Sequence, residues 1–217
     1  MSLARALWDE NADLAQAARE HPFVRGLECG TLPPRAFQDY VAQDAYFLDA
    51  FARAYALALA RSPDSQGVRD FFDLLAGVLD ELRLHARYAA RWGIRLEGVV
   101  AADATLAYTS FLLATAALGS VGETCAAMTP CMRLYAFLGQ ALAAAGPHDE
   151  NPYADWIRTY ADPGFEALAA RLEELLDRYA VDSPRVRTTY RRAMALEVAF
   201  FEAHAAGIGP PGVGPAP

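Results

Sequence analysis

Lysine is absent from this 217-residue chain, so all 19 basic side chains are arginine. That excludes a Schiff-base lysine, a pyridoxal-phosphate anchor and the G-x-x-x-x-G-K-[ST] phosphate loop. Positive charge is short overall: the net charge is −8, and the arginines are scattered rather than clustered. Phosphate backbones need a basic face, so nucleic acid is excluded as an expected partner. Cysteine is scarce as well. Cys29, Cys125 and Cys131 form an odd set with no C-x-x-C pair, and no signal peptide precedes the amphipathic start at Ser2. The expectation is a cytoplasmic protein with reduced thiols. β-Branched residues are sparse and no sustained alternation of apolar and polar positions occurs, so strands are not expected. The longest uncharged stretch, Ala104 to Gly122, would just reach across a bilayer. It carries three threonines, two serines and a tyrosine, and Asp103 and Glu123 flank it without an arginine cluster, so a buried core helix is expected instead of a membrane span.

What the chain has in quantity is alanine, 46 residues, within a 54% apolar composition. Alanine and arginine are both strong helix formers. The fold class is therefore read as all-α, a single-domain bundle of about eight helices over residues 1–206, followed by a Gly/Pro tail at 207–217. The expected helices run from Leu3 to Arg19, Pro34 to Arg61, Ser65 to Trp92, Asp103 to Leu118 and Glu123 to Ala145. Three more open at a capping side chain followed by proline: Asn151-Pro152, Asp162-Pro163 and Ser183-Pro184.

Candidate chemistry begins with a test for a di-iron site, which needs two E-x-x-H pairs and two further glutamates. Glu81 and His85 are four apart and Glu202 and His204 two apart, so no metal ligand set is expected. His21 precedes a proline at a helix break and suits a turn better than a haem. More unusual are carboxylates among large apolar groups. Asp44 shares a helix face with Tyr40, Phe47 and Phe51; Glu202 follows Phe200 and Phe201, with Glu197 offset in angle one turn earlier. Each either pairs with an arginine from another helix or acts as an acid, base or ligand-binding group. Cys131 follows Pro130 and lies one helical turn from Tyr135, and a thiol near a helix start has a lowered pKa. It is read either as an inert core residue or as a nucleophile. Tyr153, Trp156 and Tyr160 form an aromatic stripe, and Tyr108 sits within the uncharged stretch; the phenols suit a polar-rimmed pocket for a flat heteroaromatic ring.

Together these residues resemble the TenA family, also called thiaminase II, of the haem-oxygenase-like fold. The resemblance rests on His21-Pro22-Phe23-Val24 with Leu27, Gly30, Leu32, Phe37, Tyr40 and Gln43-Asp44. It continues in Pro130-Cys131-Met132-Arg133-Leu134-Tyr135, in Tyr153-x-x-Trp156-Ile157-x-x-Tyr160 and in Phe200-Phe201-Glu202. It implies a thiamin-salvage hydrolase that converts 4-amino-5-aminomethyl-2-methylpyrimidine to the hydroxymethylpyrimidine and ammonia, and that also cleaves thiamin. In the implied mechanism Glu202 protonates a ring nitrogen and Cys131 adds to the ring. Asp44 accepts from the 4-amino group, with Phe47, Tyr108, Tyr135 and Tyr160 around the ring. No cofactor is implied, the partner is a small pyrimidine, and the assembly is a homotetramer with close contacts through alanine-rich helix faces. One departure stands out: the position three after Asp44 is often tyrosine in the family and is Phe47 here. The alternatives are a cofactor-free oxidase of the pyrroloquinoline-quinone synthesis type and a non-enzymatic regulator.

Overall fold

The computed structural model describes residues 1–146 and 150–205. Among them the regular structure is helical throughout: α1 (Leu3–Glu10), α2 (Ala12–Glu20), α3 (Pro22–Cys29), α4 (Pro34–Ala60), α5 (Ser65–Trp92), α6 (Asp103–Leu118), α7 (Val121–Ala144), α8 (Ala154–Ala161), α9 (Pro163–Tyr179) and α10 (Pro184–Ala203). The expected tail at 207–217 lies outside the described residues.

Among the described residues ten helices stand where about eight were expected, and two features account for the difference. Asn11 breaks the first helix into α1 and α2. Its backbone leaves the helical region (φ −110°, ψ 19°), its amide nitrogen donates to the Leu7 carbonyl at 2.8 Å, and its side-chain oxygen accepts from Arg191 at 3.2 Å. An asparagine side chain competing for backbone groups is a known helix interrupter. The second addition is α3. Pro22 ends the preceding helix and also occupies the first position of a new one, with His21 as its N-cap and Gly30 at φ +69° closing it. Asn151 does not cap α8. It donates to the carbonyls of Leu27 and Glu28 at the end of α3 and holds the Tyr153 N–H, so that α8 starts only at Ala154. The uncharged stretch is α6 with its following turn, and no described helix is long and apolar enough to cross a membrane.

Helix α7 is the centre of the bundle. It starts in a full capping box, in which Ser120 and Glu123 exchange backbone-to-side-chain hydrogen bonds. It is buried almost all round, with Ala126, Ala127 and Ala136 wholly inaccessible. Those alanines pack inside the protomer, while Ala143 and Ala144 at the end of α7 are exposed. Alanine and glycine let the other helices come close: Gly139 packs on the backbone of Tyr160 and Ala161, and Gly122 on that of Ala180. Around α7 the aromatic residues of α4, α6, α8 and α10 form a continuous core that includes Tyr40, Phe47, Tyr108, Trp156 and Phe201.

Candidate active site

Cys131 lies in the middle of α7, not near its start, and it is 9% exposed. The helix N-terminus therefore does not lower its pKa. Burial pushes the thiol well above the usual range, and the nearby carboxyls of Glu197, Glu81 and Asp44 push it the same way. The thiol shares a hydrogen bond with Glu197 of α10, which is 2% exposed. Tyr108 of α6 donates to Glu197 Oε1 at 2.6 Å. Burial raises Glu197 to about 8, outweighing those two hydrogen bonds. Tyr108, Glu197 and Cys131 thus form one chain across three helices.

Opposite this chain stands Asp44 of α4, 4% exposed and bonded through Oδ2 to His85 Nε2 of α5 at 2.7 Å. One turn before His85 lies Glu81, half-buried, whose carboxyl accepts from Tyr160 of α8 at 2.6 Å. Burial raises Glu81 to about 7. Burial would lower His85, but the Asp44 carboxylate overcomes it and holds the ring at about 9. Beside Glu81, α5, α8 and α9 enclose a groove of about 440 Å³ floored by Met132, Phe165 and Leu168. A second hydrogen-bonded string links α8, α4 and α7: Trp156 Nε1 donates to Tyr40 Oη at 3.2 Å, and Tyr40 donates to Tyr135 Oη at 3.1 Å. This leaves the Tyr135 proton for an acceptor beyond that string. Phe47 fills the wall against Tyr108, ring centroids 4.7 Å apart, while Tyr46 is 40% exposed and points away.

The structure therefore brings together Asp44, Phe47, Tyr108, Cys131, Tyr135 and Tyr160, but not Glu202. The Glu202 side chain is 76% exposed. His21 accepts the Phe23 N–H on Nδ1, so its Nε2 carries the proton and donates to Glu202 at 2.9 Å. That contact ties the start of α3 to the end of α10. Glu197 occupies the place beside the thiol. Five helical residues turn through about 500°, so Glu197 and Glu202 point some 140° apart. The signal for Glu197 was in the sequence: it continues the buried Tyr190, Met194, Glu197, Phe201 row of α10. Glu81 and His85 likewise lie on the inward row with Leu74, Val78 and Tyr88.

The family model described as TENA/THI-4/PQQC matches residues 8–205. The chain belongs to that family. Among TENA/THI-4/PQQC relatives, the aminopyrimidine aminohydrolase of Halalkalibacterium halodurans is 34% identical over 212 residues, covering 93% of this chain and 95% of its own. The bifunctional TH2 protein, mitochondrial, of Arabidopsis thaliana is 36% identical over 209 residues; the match covers 84% of this chain but only 34% of that protein. Among solved structures, a TenA family transcription regulator from Silicibacter sp. TM1040 superposes with TM-score 0.86 at 29% identity, covering 94% of this chain and 97% of that one.

The raised values of the buried groups have a consequence for stability. Glu81, Glu197 and His85 bind protons more tightly in the folded chain, at about 7, 8 and 9, than at their ordinary values of 4.5, 4.5 and 6.5. Their stabilising effect is complete below the ordinary values and is lost as the pH rises through the folded ones. The melting temperature is expected to fall between about pH 6 and pH 9. One pK unit of net difference is worth about 1.4 kcal/mol, or ~3–6 °C at this size. Scanning calorimetry at the two pH values checks this; a higher melting temperature at the alkaline value contradicts it.

Proposed function

We propose that this protein is a cysteine-dependent hydrolase of 4-aminopyrimidines bearing a leaving group on the C5 methylene, acting in thiamin salvage. The reading is carried by the hydrogen-bonded Tyr108–Glu197–Cys131 chain facing Asp44 inside an aromatic cage. It is supported by the aminohydrolase named among the relatives over nearly the whole chain.

In this reading Asp44 accepts from the 4-amino group, and the ring packs between Phe47, Tyr108, Tyr135 and Tyr160. Glu197 takes the Cys131 proton as sulfur bonds to a ring carbon, and returns that proton to a ring nitrogen. One carboxyl thus serves as base and then as acid, which suits a group titrating near neutrality. The electron-rich adduct expels ammonia from the methylene ammonium, or the neutral thiazole of thiamin. Water adds to the methylene and gives its proton to Glu197; the ring nitrogen then loses its proton as the C–S bond breaks, the ring rearomatises and the departing Cys131 sulfur takes up that proton. Expulsion before water addition explains why one site can serve two leaving groups. The homotetramer and the cytoplasm remain part of this reading. Light scattering should give four times 23.5 kDa; a smaller particle removes the tetramer.

The deciding experiment is ammonia release from 4-amino-5-aminomethyl-2-methylpyrimidine by the purified chain, with formation of the hydroxymethyl product followed by chromatography. Stoichiometric ammonia and alcohol are expected. If neither appears, from this substrate or from thiamin, the hydrolase reading fails. A net charge of −8 speaks against the regulatory alternative by direct DNA binding.

A further inference from the structure

His85 has both ring nitrogens against oxygen acceptors, in a place where only 2% of it is exposed. Nδ1 lies 3.0 Å from the Glu81 carbonyl and Nε2 lies 2.7 Å from Asp44 Oδ2. A backbone carbonyl can only accept, so Nδ1 carries a proton. Nε2 then either donates to a carboxylate or accepts from a protonated one. The distance is that of a charge-assisted N–H···O contact, and an imidazolium satisfies both acceptors at once. The ionisable groups acting on it are Asp44 from α4 and Glu81 from its own helix, both acidic; Tyr160 of α8 reaches it only through Glu81. The other neighbouring ring, Tyr88, is edge-on at 6.1 Å.

The same geometry excludes a relay. A proton taken up at Nε2 has no outlet at Nδ1, because the Glu81 carbonyl cannot accept one. We infer that His85 is a positioning residue, a fixed imidazolium that holds Asp44 as an oriented carboxylate and so restricts the site to rings presenting an N–H donor. This rests on the reading above, in which Asp44 receives the ring edge. Oδ2 is committed to His85, which leaves Oδ1 as the acceptor for the ligand. A ring with a carbonyl in place of the amino group sets oxygen against oxygen, and a buried acceptor pair without a proton is strongly disfavoured. Remove the cation, and nothing holds Asp44 Oδ1 toward the ring edge, so the amino ring loses its oriented acceptor and the preference over the oxo ring weakens.

Two measurements on the full chain test this. In ¹⁵N-histidine NMR, both His85 ring nitrogens should read as protonated from about pH 6 to about pH 8; an unprotonated Nε2 near neutrality overturns the inference without any variant. In calorimetry, the wild type should bind 4-amino-5-hydroxymethyl-2-methylpyrimidine at least ~100-fold more tightly than its 4-oxo analogue. In His85→Gln, amino-ring affinity should fall ~30-fold or more and the preference should drop below about tenfold. A His85→Gln protein that keeps the wild-type preference shows a merely structural histidine and overturns the inference. A wild type that binds neither ring removes the pyrimidine reading and the ring-positioning role with it, while the NMR result still decides the charge of His85.

Discussion

Glu197→Gln is expected to lower kcat for ammonia release by about 10²–10³-fold, and Cys131→Ala to abolish turnover, whereas Glu202→Gln should stay within about twofold of wild type. The contrast follows from location. Glu197 is 2% exposed and joined to both Tyr108 and the thiol. Glutamine keeps the shape and can still accept from Tyr108, so the fold is retained, but it cannot take a proton from sulfur. Because burial holds the thiol well above neutrality, it is protonated before substrate arrives and attack depends on that transfer. The rate should accordingly rise with pH as Glu197 ionises, up to about 8. Glu202 is 76% exposed and touches His21, far from any reacting atom in this scheme. Steady-state ammonia assays on the three variants, with circular dichroism to check folding, decide the matter. The assignment is lost if Glu197→Gln is fully active or Glu202→Gln is the dead variant.

Gly139→Ala is expected to destabilise the fold by about 3 kcal/mol, or ~6–12 °C in melting temperature. A Cβ at Gly139 would run into the Tyr160 carbonyl carbon and lie 2.6 Å from both the Ala161 nitrogen and the Tyr160 oxygen. These are backbone atoms and cannot swing aside, so α7 and α8 must part. The gain of about 1 kcal/mol from replacing a helical glycine does not offset this. Gly77→Ala on α5 is the matched control. Its Cβ meets only the tip of the Leu168 side chain at 2.8 Å, so propensity should prevail and stability should change little. Thermal melts of both variants test the pair; equal behaviour would show that backbone contact does not set the α7–α8 spacing.

Much of this was legible from residues alone. The boundaries of α5, α6 and α9 follow from Trp92-Gly93, Asp103 and Asp162-Pro163, where local chemistry decides without tertiary help. Asn11 falls inside the helix expected from Leu3 to Arg19, because its interruption depends partly on Arg191, 180 positions away. Proline at 22 read as a stop because the same residue also serves as a start. In the candidate site, Asp44 stood out by its apolar neighbours and Cys131 by Pro130 and Tyr135, though Cys131 lies in mid-helix and not near a start. Glu202 drew attention because Phe200 and Phe201 precede it, yet adjacency in sequence is not adjacency on a helix face. Glu81 and His85 share one helix face, but their partners, Tyr160 and Asp44, come from other helices and appear only on folding.

The buried titrating carboxyls also bear on how a charged ligand enters. Near neutrality Glu81, at about 7, is about half protonated and Glu197, at about 8, is mostly so. An incoming ammonium or azolium favours their ionised forms, so arrival of the cation and departure of a proton become one coupled event. Affinity for such a ligand therefore rises with pH through this range, and its calorimetric heat depends on the ionisation enthalpy of the buffer. A neutral ring carrying the same amino group binds without that exchange.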